Sequence, residues 1–260
     1  MSLLASDFTW FNLIPGYDHL QESIGKSLYY TYIDGEPVET ITHLTLVLFA
    51  TLLVLGVAMA ARARWASEGG GVVPDGRFSI ANLMETILDA ILKMSEDVFG
   101  SRERAVRFMP IIGTCALYIL FNNLLGLVPG FAPATDNLNI TIGPAMVIFF
   151  ATHFYGLKEN GMHHLTHFLG PKIGGVPWLA PIMLPIELIS HLARPLSLSL
   201  RLMGNMTGDH KVLAIFLGLA YFTVPFVILG TLVCIVQTLV FCLLSMVYIS
   251  LAIEHSEEAH

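Results

Sequence analysis

Glu187, His191, Arg194, Arg201, Asn205 and Asp209 are the residues of this 260-residue chain best spaced to handle ions. At 100° per residue with Glu187 at zero, His191 falls at about +40°, Arg194 at about −20°, Arg201 at about −40°, Asn205 at about 0° and Asp209 at about +40°. Six polar positions therefore share one narrow helical face, with Ser190 and Ser197 at its edge and mostly Leu, Ile, Ala or Met elsewhere. From Glu187 to Asp209 the stripe is about 33 Å long. Arginine does not release its proton in a protein, so Arg201 can hold a positive field or bind an anion but cannot relay protons. Glu187 and His191 on one side, and Asp209 and His210 on the other, can load and unload protons from water. The order is acid, fixed cation, acid, which suits two half-pathways separated by an electrostatic barrier. A helix lying flat in a membrane interface, its charges among headgroups, is the plainer reading, and this chemical order weighs against it.

The composition says what solvent surrounds the stripe. The chain is 55% hydrophobic and only 13% charged, with mean hydropathy +0.69, where soluble chains carry about 25% charged residues. An integral membrane protein is expected, all-α because helices satisfy their own backbone in lipid. A charge near the bilayer centre is costly and normally faces protein or a water-filled path, so the stripe is a functional candidate. The net charge of −7 argues against nucleic acid, which needs a basic face. Cys115, Cys234 and Cys242 lie inside apolar runs without paired spacing, so they read as core residues rather than disulfide or zinc ligands. No cofactor and no metal is expected.

The first 43 residues are acidic and mixed, with no early positive charge of the kind a signal peptide needs. Uncharged runs at 44–61, 108–128 and 140–157 are each long enough to span a bilayer, which takes roughly 17–25 residues. Arg62 and Arg64 follow the first, Arg102, Arg104 and Arg107 precede the second, and Lys158 and Lys172 follow the third. The positive-inside bias then puts the amino terminus and the 129–139 loop outside. Between the first two spans, Ile80, Leu83, Met84, Ile87, Leu88, Ile91, Leu92, Val98 and Phe99 recur at helical spacing opposite Glu85, Asp89, Lys93, Glu96 and Asp97. This predicts an amphipathic helix over 78–100 within a cytoplasmic loop 62–107, lying on the membrane or binding a partner.

After a second cytoplasmic loop, 158–175, residues 212–253 run for 42 positions without a charge. As one helix they would reach about 63 Å, twice the roughly 30 Å of hydrocarbon. A tilted hairpin over 176–253 is expected, turning near 221–225 because Pro225 removes a backbone donor, with an acidic tail at 254–260.

The run Ser197-Leu198-Ser199-Leu200-Arg201-Leu202-Met203-Gly204-Asn205-Met206, with Glu187 and Pro195 before it and Gln237 and Tyr248 after it, closely resembles subunit a of F-type ATP synthases. Asn123, Pro129, the Asp136–Thr141 segment and the acidic carboxyl end extend the likeness over most of the chain. The resemblance implies a non-catalytic stator subunit in the bacterial inner membrane, with its carboxyl terminus cytoplasmic. Its implied partners are a rotating c-ring of small hairpin subunits, b-type peripheral stalk subunits and the rest of the ATP synthase. Arg201 would be the essential arginine that attracts an ionised ring carboxylate and forbids direct proton passage. Glu187, Ser190 and Arg194 match the cytoplasmic half-channel, and Asn123, Asn205, His210 and Gln237 the outer one. The chain departs from the family where many relatives carry a carboxylate at the His210 position and some an ionisable group at the Gly230 position. Both Asp209 and His210 stay open as the outer relay, His210 being favoured by an unperturbed pKa near 6.5.

Two other readings compete. A stand-alone proton-coupled transporter could own a buried arginine near carboxylates, but such folds carry inverted repeats, and none is visible. His153, His163, His164 and His167 are similar to the histidine boxes of membrane di-iron desaturases. Such a site needs several boxes on one face, and His191 and His210 are isolated singles, so 158–175 reads as a solvated loop.

Overall fold

The computed structural model describes residues 9–17, 19, 23–24, 42–67, 79–128, 131, 133–161, 180–217 and 223–254. Among them stand six α-helices: α1 (Thr42–Ser67), α2 (Ile80–Phe99), α3 (Arg102–Gly126), α4 (Leu138–Asn160), α5 (Ala180–Leu217) and α6 (Thr223–Glu254). Four helices, α1, α3, α4 and α6, are long and apolar enough to cross a membrane. The three runs expected to span fall in α1, α3 and α4, with α1 continuing through Arg62 and Arg64 and α3 ending at Gly126, two residues short of the expected end. The two expected arms of the hairpin are α5 and α6; residues 218–222 between them, and with them Tyr221, lie outside the described residues. Pro225 sits in the first turn of α6, where a missing N–H costs the helix nothing.

Local chemistry sets the helix ends. Ser79 caps α2 by accepting from the Asn82 N–H, and Gly100 closes it in the left-handed region at φ 67°, the conformation glycine adopts without a Cβ penalty. One residue later Ser101 caps α3, so α2 and α3 form a tight helical corner. Asn137 caps α4 through the Asn139 N–H. Gly126, the last residue of α3, is needed for a different reason: a Cβ there would lie 2.5 Å from the Cβ and 2.8 Å from the Cα of Pro133. Gly126→Ala should therefore push away the 133–136 turn and destabilise the fold by about 1–3 kcal/mol, as overpacking does. Thermal unfolding of the detergent-solubilised protein is the check.

α6 packs against α2, α3, α4 and α5, while α5 packs on α4 and α6. Ile91, Phe99, Phe108, Ile112, Met246, Ile249 and Ile253 form one core between α2, α3 and α6. Cys115, Ile119, Ile148, Leu198, Leu202 and Phe241 form a second that joins α3 and α4 to the α5–α6 pair. All three cysteines are buried and free, as expected of core residues. The sequence-predicted amphipathic helix buries Met84, Ile91 and Phe99, yet Ile80 and Leu83 on its apolar face are exposed. That face is wider than the contact made with α1, α3 and α6.

At one end of the bundle Arg107 of α3 pairs with Glu159 of α4 at 2.5 Å while its guanidinium lies 5.7 Å from the Tyr155 ring. Asn160 donates to the Ala252 carbonyl of α6 at 2.7 Å. The carboxyl ends of α4 and α6 therefore finish at the same level as the start of α3. The 3-10 turn Ala134–Asp136 lies at the other end of the bundle and contacts α5.

Candidate functional site: a polar stripe at the rim of α5

The stripe lies along the boundary between two faces of α5. Pro195, Leu198, Ser199, Leu202 and Met206 are buried against the bundle on a face centred at about +80° in the numbering used above. The opposite face is open and apolar, with Ile189, Leu192, Leu196, Leu200 and Ile215 exposed. Stripe residues leaning toward the core, His191 and Asp209, are half-buried, whereas Arg201, leaning away, is exposed, as is Asn205. Arg201 thus presents a fixed charge among Leu196, Ser197, Leu200, Gly204 and Gly208, with exposed Lys211 ten residues further along the same side of the helix. Gly204 and Gly208 would meet nothing within 4 Å if they carried a Cβ, so this face stays shallow beside the arginine.

On the amino-terminal side of Arg201, His191 Nε2 lies 3.4 Å from Glu187 Oε1. The Arg194 guanidinium lies 5.2 Å from the Tyr248 ring of α6, a cation–π arrangement that keeps it beside α6. Ser190 is exposed on α5. On the carboxyl-terminal side Asn205 Nδ2 donates to Gln237 Oε1 at 2.6 Å, joining the two arms next to the arginine. Asn123 Oδ1 accepts from Thr135 Oγ1 at 2.9 Å. Asp136 Oδ1 lies 3.3 Å from His43 Nδ1, and His210 is near enough to act on Asp136 electrostatically.

Every residue matched to a half-path by resemblance lies in a described element, on one side of Arg201 or the other along the bundle. The structure also adds His43 and Asp136 to the carboxyl-terminal group. His43 had no visible signal, being one polar residue in the first turn of an apolar helix; Asp136 was noticed only as part of a motif. Gly230 is buried with its Cβ position 2.7 Å from Leu127 Cδ2, so the site where some relatives carry an ionisable group is here filled by leucine. Of the histidine cluster, His153 lies in α4 against Phe149 and His191, whereas 163, 164 and 167 lie outside the described residues. No group of three or more His, Cys, Asp or Glu able to hold a metal is present among the described residues.

A family model described as ATP synthase A chain matches residues 43–250. The chain belongs to this family. Among its relatives is ATP synthase subunit a of Bdellovibrio bacteriovorus, 38% identical over 251 residues, 95% of this chain and 98% of that one. Subunit a of Sorangium cellulosum is 40% identical over 248 residues, 94% of each chain, and that of Geobacter sulfurreducens 47% identical over 190 residues, 72% of this chain and 78% of that one. As an ATP synthase A chain, the protein is a multi-pass, non-catalytic, proton-translocating subunit of the synthase membrane sector, which displaces the stand-alone transporter.

Proposed function

We propose that this ATP synthase A chain carries protons through two half-paths that meet at Arg201. The cytoplasmic path runs by Glu187, Ser190, His191, Arg194 and Tyr248, and the outer path by Asn123, Asn205, Asp209, His210 and Gln237, with Asp136 and His43 at its mouth. The observation that carries this reading is the exposure of Arg201 on an open apolar face, the surface a c-ring would run against. An unshielded cation there favours the ionised form of a nearby ring carboxylate, so a ring site arriving protonated gives up its proton. The half-paths are further supported by buried polar atoms without a protein hydrogen-bond partner, among them Asn123 Nδ2, Asp209 Oδ2, His210 Nδ1 and Gln237 Nε2. Such atoms normally find partners in water.

The setting follows from charge and level. Basic residues flanking α1, α3 and α4 favour an outside amino terminus in the bacterial inner membrane. The carboxyl end of α6, level with that of α4, then falls on the cytoplasmic side. α5 rises obliquely from that side to the 134–136 turn, and α2 lies along the cytoplasmic surface. The c-ring and b-type stalk subunits are the proposed partners.

The exposure pattern supplies the test. Leu200→Cys and Gly208→Cys, both on the open face, should form cross-links to the c-ring in membranes carrying the whole synthase. Leu202→Cys, whose native side chain is fully buried, should not. A chain that purifies without a ring, or cross-links equally from all three positions, would overturn the reading.

A further inference from the structure

The cytoplasmic half-path proposed above lies on α5 and α6 alone, but the geometry brings a third helix into it. His153 of α4 has its ring 5.2 Å from that of His191, at an interplanar angle of 62°. Phe149 packs edge-on against His153 at 4.4 Å and sets its orientation. On the far side His191 reaches Glu187 at 3.4 Å. Thr152, His153, His191, Arg194 and Tyr248 all line one cavity of about 20 Å³, enough for a single water. His153 is seven residues before the end of α4 and His191 eleven after the start of α5, about 10 Å and about 16 Å along their own helices.

We propose that His153 and His191 form a two-imidazole proton relay at the inner end of the path, with His153 a relay residue supplied by α4. A proton leaving the ring site near Arg201 passes into the cavity and binds one imidazole nitrogen. The other nitrogen of that ring releases a proton to the water or to the partner imidazole, and Glu187 delivers it to the cytoplasm. No bond other than N–H and O–H forms or breaks, and one proton enters for each that leaves. The charged and titratable groups facing the pair are Glu187 and Arg194 from α5 and Tyr248 from α6. Arginine keeps its charge in a protein, so Arg194 sets a constant positive charge beside the cavity that the two rings share. Imidazole is the side chain whose ordinary titration lies within about pH 5–8, where the cytoplasmic face operates.

This relay rests on the half-path reading of Arg201. The test uses inside-out vesicles carrying the complete synthase, whose bathing medium reaches the cytoplasmic face. Passive proton flux after removal of the catalytic head is measured as bath pH varies between about 5.5 and 8, with lumen pH fixed. His153→Gln and His191→Gln should each lower flux about tenfold, below the full range for a lost acid–base group because water can partly substitute. Each should also flatten the dependence on bath pH while leaving the dependence on lumen pH intact. The double variant should be no slower than the worse single one, because both act in one path. Normal flux and an unchanged bath-pH profile in His153→Gln would overturn the relay. So would a loss of flux in which the pH profile keeps its shape, since that is what mere packing damage produces. Arg201→Ala in matched vesicles that keep the catalytic head separates the two ideas: if it pumps normally the half-path reading falls, and if only His153→Gln behaves as wild type the relay alone falls.

Discussion

Arg201→Ala should abolish ATP-driven proton pumping and proton-driven ATP synthesis, a loss of at least about a hundredfold, while the detached catalytic head still hydrolyses ATP. The size follows from the field. A unit-charge pair about 4 Å apart at an effective dielectric near 20 interacts by about 4 kcal/mol, equivalent to about three pKa units on the ring carboxylate. Without that field a ring site reaching α5 keeps its proton and has no reason to discharge into the cytoplasmic path. Arg201→Lys should recover little, because a lysine in low dielectric can lose its proton and so its field, whereas arginine cannot. The alanine variant should also leak once the head is stripped, since nothing then divides the two half-paths. Pumping assays in inside-out vesicles, with assembly verified by recovery of the intact complex, decide the matter. Normal pumping in Arg201→Ala would sink the mechanism.

Much of this arrangement was legible in the residues. Scarcity of charge named the solvent, uncharged runs located α1, α3, α4 and α6, and 3.6-residue periodicity put Glu187, Arg201 and Asp209 on one side of a helix. These signals are local, and helices in lipid follow local rules closely. Which way the stripe faces was not legible, because it depends on how α5 leans on α4 and α6. A wheel cannot tell a rim from the middle of a buried face, and that position leaves Arg201 exposed while half-burying His191 and Asp209. The helices that complete the paths were equally hidden. His43 and His153 are 110 positions apart in sequence, and each becomes a proton-path candidate only when packing sets it against Asp136 or His191. The apolar face of α2 misled in a smaller way, since periodicity gave its direction but not its width.

The outer half-path yields the second large effect: His210→Ala should lower proton flux by about 10²- to 10⁴-fold, the range for loss of a positioned acid–base group, while Asp209→Asn changes it by less than about threefold. Adjacent helical positions point about 100° apart, so the two residues do not address the same neighbours. His210 acts on Asp136, which His43 holds at 3.3 Å, and these three groups can pass a proton inward from the turn that contacts α5. Burial pushes the Asp136 carboxyl above its ordinary value of 3.8, with His43 and His210 pulling the other way. A raised carboxyl binds its proton more tightly in the folded state. Its contribution to stability is therefore fully present below the ordinary value and is lost as pH rises through the folded one. Asp136→Asn should accordingly leave the protein no less stable near neutral pH, and a fall in flux in that variant would report transport rather than unfolding. Measured in head-stripped inside-out vesicles, whose lumen is the outer face, the His210 variant should also lose its dependence on lumen pH. The reverse ranking, with Asp209→Asn the slower enzyme complex, would move the relay to Asp209 and leave the His43–Asp136–His210 group a structural tie between α1, the 134–136 turn and α5.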